Sequence, residues 1–111
     1  MANTFTRKLS RNVGVTPDQI GSYTVAANTT AIVIGVTVTN TSGSAITANV
    51  YLQDNAVANT FIVANAPISS GASLVPVGGD QKIVMITGDK LYVQSSAASS
   101  VDAVLSIMEI T

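Results

Sequence analysis

Along most of the chain apolar and polar residues alternate with a period of two, and turn-forming residues break the alternation at intervals of about 8 to 12 residues. From Ala31 to Asn40, Ile32, Ile34, Val36 and Val38 fall on one side, and Val33, Gly35, Thr37 and Thr39 on the other. This is the signature of a half-buried strand. The turn formers Asn40-Thr41-Ser42-Gly43 follow, and then Ile46, Ala48, Val50 and Leu52 alternate against Thr47, Asn49, Tyr51 and Gln53. The spacing predicts a hairpin over residues 31–54. Shorter strands are expected over 60–64, ending before Pro67, over 73–77 with Pro76 marking a sheet edge, over 82–86, over 90–95 and over 101–110. Gly78-Gly79-Asp80 and Gly88-Asp89 read as turns, the former as a hairpin turn. No helical period competes with this pattern. The prediction is an all-β fold, an antiparallel β-sandwich or jelly roll of seven or eight short strands, with a barrel as the other closed solution.

Two segments depart from simple alternation. The last strand is apolar on both faces, with Val101, Ala103, Leu105 and Ile107 on one and Val104, Met108 and Ile110 on the other. Either the N-terminal segment covers the second face or another chain does, which makes Val104, Met108 and Ile110 candidate partner contacts. Residues 1–19 hold three of the five basic side chains, Arg7, Lys8 and Arg11, together with Gly14 and Pro17. They are expected to form an extended N-terminal arm ahead of a sandwich domain spanning 20–111. The three cations are the candidate contacts of that arm.

Composition changes what the outer faces are for. Charged residues make up 10% of the chain and apolar ones 47%, whereas about 25% charge is usual for a soluble domain. The polar positions are filled by Ser, Thr and Asn, which bury in an interface at less desolvation cost than charges do. Such an exterior suits being covered by protein. The apolar content excludes disorder, and no run approaches the roughly 18 apolar residues of a spanning helix, so no membrane partner is expected. The formal net charge is −1, and three cations without interleaved aromatics bind nucleic acid only weakly and non-specifically. A protein partner is expected instead, with homo-oligomerisation. The first ten residues show no apolar signal-peptide core, which predicts synthesis without export.

Catalytic equipment is sparse. There is no histidine and no cysteine, which removes the usual general base, the commonest metal ligand and thiolate chemistry. The six acids, Asp18, Asp54, Asp80, Asp89, Asp102 and Glu109, are scattered, and Asp54, Asp80 and Asp89 sit where aspartate initiates turns. A glycosidase carboxylate pair would need sugar-stacking aromatics, yet aromatic residues are 5% of the chain and tryptophan is absent. Gly78-Gly79-Asp80-Gln81-Lys82 lacks the spacing and the following helix of a phosphate loop. No enzyme, cofactor or metal site is expected.

Two stretches carry a family likeness: YTVAANTTAIVIGVTVTNTSGSAITANVYL, and NAPISSGASLVPVGGDQKIVMITGDKLYVQSSAASSVDAVLSIMEI. With the Asn-Thr-Thr entry, the Val-Thr-Asn-Thr-Ser turn, the Ala-Pro-Ile connector and the Glu-Ile ending, residues 23–110 resemble small virion structural proteins of tailed bacteriophages, notably cyanophages. The resemblance implies a virion accessory protein that decorates or cements the capsid exterior, or sits at the neck, collar or tail, bridging neighbouring subunits. Its implied partners are major capsid, portal, neck or tail proteins, and its implied location is the virion after synthesis in the host cytoplasm. It carries over no catalytic residue. The other function considered is a small tail-associated carbohydrate- or receptor-binding sandwich, for which Phe5, Tyr23, Tyr51, Phe61 and Tyr92 are the available aromatics.

Overall fold

A computed structural model describes residues 2–111. It is all-β, with nine strands: β1 (Asn3–Val13), β2 (Asp18–Gln19), β3 (Thr30–Asn40), β4 (Ile46–Gln53), β5 (Asn59–Ile68), β6 (Ser73–Val77), β7 (Ile83–Met85), β8 (Lys90–Ser95) and β9 (Val101–Ile110). The first sheet has the order β1-β9-β3-β6, with β7 also paired to β3; the second has the order β2-β8-β4-β5. Every pairing is antiparallel. If β6 and β7 are counted as one interrupted strand, the pairings are nested. β1 meets β9, β2 meets β8, β3 meets β6 and β7, and β4 meets β5. The chain is thus one long ribbon whose tip is the β4–β5 turn, rolled up so that β9 also pairs with β3 and β8 with β4. That is the topology of a jelly roll.

Three local expectations change. The predicted hairpin over residues 31–54 does not form, because β3 and β4 lie in different sheets. Asn40 makes the crossing possible. It is fully buried, its amide donates to the carbonyls of Ser44 (2.8 Å) and Ile68 (3.0 Å), and its Oδ1 accepts the Ser42 amide (2.9 Å). These bonds satisfy the backbone where the chain leaves one ladder for another. Gly78-Gly79-Asp80 is a turn but not a hairpin turn, since β6 and β7 both pair with β3. The strand expected to stop before Pro67 runs through it to Ile68. Proline is tolerated there because β5 is an edge strand.

The strict alternation of β3 is broken too. The register slips between Val33 and Gly35, so a bulge at Ile34 reverses the phase. The buried set is Ala31, Val33, Val36 and Val38, while Ile32 and Ile34 turn outward. With Val50, Val77, Met85, Leu91, Val93, Leu105 and Ile107, these residues fill the space between the sheets. Each such side chain contributes roughly 1.5–3 kcal/mol on leaving water, and this core alone holds a chain without disulfides.

The N-terminal segment is extended, and it lies within the fold. β1 pairs with β9 from Asn3 to Val13, and β2 pairs with β8. Residues 3–19 therefore supply one strand to each sheet, and the strand count rises to nine. Between β2 and β3, Gly21 adopts φ +59°, and a Cβ there would sit 2.5 Å from the Cβ of Lys8. Only glycine allows this turn to close against β1.

Candidate interaction surface

The outer face of the first sheet is built by alternation carried across strands. β1 pairs Phe5 with Met108, β9 pairs Met108 with Ile32, and β3 pairs Ile32 with Val84. Residues in one such row point to the same side, so four apolar side chains cross the sheet in a line about 14 Å long. Their opposite neighbours Ile107, Val33 and Met85 are in the core. Phe5 is 72% exposed and Val84 60% exposed. Ile110 and the 62%-exposed Ile86 extend the apolar surface towards one end, and Val104, paired with Leu9 and Thr37, extends it towards the other.

The candidate residues of the last strand fall on this face together. Val104 is exposed, and Met108 and Ile110 are half-buried between their in-sheet neighbours. β1 lies beside β9 in the same sheet, so it does not cover them. Phe5, Ile32, Val84 and Ile86 belong to the same surface but escaped the sequence reading. Phe5 falls in the segment expected as an arm, and simple alternation puts Ile32 in phase with Val36 until the bulge at Ile34 breaks it. The outward Phe5-Arg7-Leu9 series against Thr6 and Lys8 was the available signal.

The three cations of β1 do not form one patch. Arg7 is exposed on the outer face between Phe5 and Leu9. Lys8 faces the opposite way, half-buried, with its ammonium 5.3 Å from the centre of the Tyr23 ring. Arg11 is exposed at a shallow depression of about 360 Å³, lined also by Ser10, Asp18, Gln19 and Ser22. The Tyr23 hydroxyl donates to Glu109 Oε2 at 2.7 Å. Burial, reinforced by the bond to Glu109 and by its charge, pushes the Tyr23 hydroxyl well above the usual tyrosine range.

On the second sheet, three of the five aromatic residues gather in one row. Tyr92, Tyr51 and Phe61 are cross-strand partners. The Tyr51 and Tyr92 rings stack at 5.3 Å and 6°, and the Phe61 ring tilts 40° against Tyr51 at 5.1 Å. Tyr51 is only 6% exposed, because its ring is clasped by its two neighbours. Burial, then the neighbouring Tyr92, raises its pKa.

The polar groups do turn and loop work. Asp54 Oδ1 accepts the amides of Ala56 (2.9 Å) and Ala58 (3.0 Å), and Asp89 Oδ2 accepts that of Ile86 (2.9 Å). The hydroxyls of Ser95 and Ser100 bond each other inside the β8–β9 connection. Among the described residues, no three His, Cys, Asp or Glu side chains come together as metal ligands.

No family model matches the chain, and no curated protein matches it in sequence. Solved structures do match in fold. The structure described as "Bacillus endospore appendages form a novel family of disulfide-linked pili" is 13% identical, with a TM-score of 0.54 over 100% of this chain and 91% of that one. A structure of infectious bursal disease virus, Gx strain, is 15% identical, with a TM-score of 0.55 over 96% of this chain. This chain spans about a third (32%) of that viral protein's length. The nucleoplasmin-like N-terminal domain of Drosophila FKBP39 is 11% identical, with a TM-score of 0.51 over 98% of this chain and 91% of the other. The three likenesses establish what the strand order already indicates, a two-sheet antiparallel β-sandwich.

Proposed function

We propose that this chain is a structural subunit of a bacteriophage virion, an accessory protein that decorates or cements the capsid exterior or the neck and collar by bridging neighbouring subunits. The observation that carries the reading is the apolar row Phe5–Met108–Ile32–Val84, open to solvent on a molecule with only 10% charged residues. Leaving such a row wet is costly, and covering it with another chain is favourable by roughly 25 cal/mol per Å² of apolar surface removed from water. The fold supports the reading, since jelly rolls serve in virus particles and two of the similar structures are a virus and a pilus. Association of this chain cannot use disulfides, as it has no cysteine. Surface burial must supply it. No catalytic role, cofactor or nucleic-acid partner is part of this proposal.

In the competing reading, a tail-associated carbohydrate- or receptor-binding module, aromatic ring faces would be presented to a ligand. The row on the second sheet gives the faces of Tyr51 to Tyr92 and Phe61 instead. The deciding experiment is mass spectrometry and cryo-electron microscopy of purified phage particles. The protein is expected in many copies on the particle exterior, with the outer face of the first sheet against other chains. Phe5→Asp and Val84→Asp are each expected to lower occupancy at least tenfold while leaving the circular dichroism spectrum unchanged. Particles that lack the protein, or that bind the variants as well as wild type, would refute the assignment.

A further inference from the structure

Among the described residues the first sheet is unpaired at both edges, β1 on one side and β7 with β6 on the other, and the two edges complement each other. The sheet is four strands wide, so the edges run in opposite directions. A second copy related by a rotation or translation therefore continues the antiparallel alternation. Hydrogen-bonding phase agrees as well. Ala2 and Thr111 exchange both backbone bonds (3.2 and 3.0 Å). Strict alternation from that pair leaves the amides and carbonyls of Phe5, Arg7 and Leu9 facing away from β9, and those of Val84 facing away from β3.

Side chains match along the same line. β1 presents Phe5, Arg7 and Leu9 outward, and the opposite edge presents Val84, then the Gly78–Lys82 loop with exposed Asp80 and Lys82, then Val75. Phe5, Val75 and Val84 are 72%, 58% and 60% exposed. An antiparallel approach that sets Phe5 beside Val84 sets Leu9 near Val75 and puts Arg7 at the Gly78–Lys82 loop, where Asp80 and Lys82 are both exposed. Pro76 lacks an amide, so backbone pairing is confined to β7 and the β6 end contributes side-chain contact.

Charge selects this arrangement over a two-fold pairing of β1 with itself. Residues 1–13 carry +3 with no acid, whereas residues 14–111 carry two lysines against six acids, −4, which together make the net −1. Pairing β1 with β1 brings like charges together, whereas head-to-tail contact sets β1 against an edge, residues 73–86, whose one acid, Asp80, and one base, Lys82, sum to zero. We infer that the occupant of the β1 edge is the β7–β6 edge of a second copy of this chain, so that the first sheet continues from subunit to subunit. This rests on reading the chain as an assembly subunit and names its first neighbour. Such a contact is heterologous and closes into a ring or runs on as a filament.

The test is oxidative cross-linking of the purified double variant Phe5→Cys/Val84→Cys. The wild-type chain has no cysteine, so every disulfide comes from the introduced pair. Within one chain the two positions lie about 14 Å apart, three strand spacings, too far for a disulfide. A ladder of dimers, trimers and higher species is expected, with Phe5→Cys alone remaining monomeric. Efficient dimers from Phe5→Cys alone would replace the proposal with two-fold pairing of β1. A chain that stays folded and monomeric throughout would overturn the docking. The presence of the protein on purified particles, read separately, tests the virion role alone.

Discussion

Asn40 carries the decision that separates this fold from a meander. Its amide and carbonyl oxygen hold the crossing between the sheets, fully out of solvent. Asn40→Ala would strand the carbonyl of Ile68 in the interior, and the expected loss is roughly 2–3 kcal/mol in urea denaturation. Tyr23 makes a second residue-scale prediction. Its pKa is raised in the folded protein by burial and by Glu109, from the ordinary value of 10.0. The folded state therefore holds this proton more tightly than the unfolded chain does. The contribution is intact below about pH 10 and is lost as pH climbs beyond it towards the folded value. Thermal melts from pH 8 to 11.5 should show stability falling above about pH 10, less steeply in Tyr23→Phe. That variant should cost about 1 kcal/mol at neutral pH through the lost bond to Glu109. A slope equal to wild type would sink the account.

At the scale of the element, β1 and β3 show how much a strand's sequence says and where it stops. Alternation predicted β3 and its length, yet the inserted residue at Ile34 reversed which side of Ile32 faces the core. A bulge leaves no mark in a run of β-branched residues, because Val and Ile suit either face. In β1 the alternation Phe5-Thr6-Arg7-Lys8-Leu9 was present, but its charges and the following Gly14 and Pro17 pointed to an arm. The partner that makes it a strand, β9, is about a hundred residues away in sequence. Ladder phase makes the pairing testable. Lys8 exchanges its backbone bonds with Leu105, whereas Arg7 faces the free edge. Lys8→Pro should therefore destabilise the protein by about 2 kcal/mol more than Arg7→Pro in equilibrium unfolding. Equal losses would mean that β1 contributes no ladder.

For the whole molecule, rolling one long ribbon places unrelated strands side by side and so creates surfaces that no strand contains. The row from Phe5 through Met108 and Ile32 to Val84 draws on four strands, and the Tyr92–Tyr51–Phe61 row on three. The two differ in fate. The Tyr51 ring is covered by its two neighbours, while the row that begins at Phe5 stays open at both ends. Charging the open row should hardly touch folding. Phe5→Asp and Val84→Asp are expected to stay within about 0.5 kcal/mol of wild type in unfolding experiments. Their effect is expected in association, as proposed above. A loss above about 2 kcal/mol would show that these side chains support the monomer instead.

Period-two alternation, turn residues at short intervals and the absence of histidine and cysteine determine, without coordinates, an all-β sandwich with little catalytic equipment. The second apolar face of Val101–Ile110 is legible in the same way. These features are legible because strand period, turn chemistry and side-chain reactivity are local properties of the chain. Only the tertiary structure decided that residues 40–45 cross between sheets instead of folding back, that Ile34 bulges, that β1 joins the sheet, and that Phe5 and Val84 end one row. Each depends on contacts between residues far apart in sequence. A four-residue turn serves a hairpin and a crossing equally well until the core chooses between them.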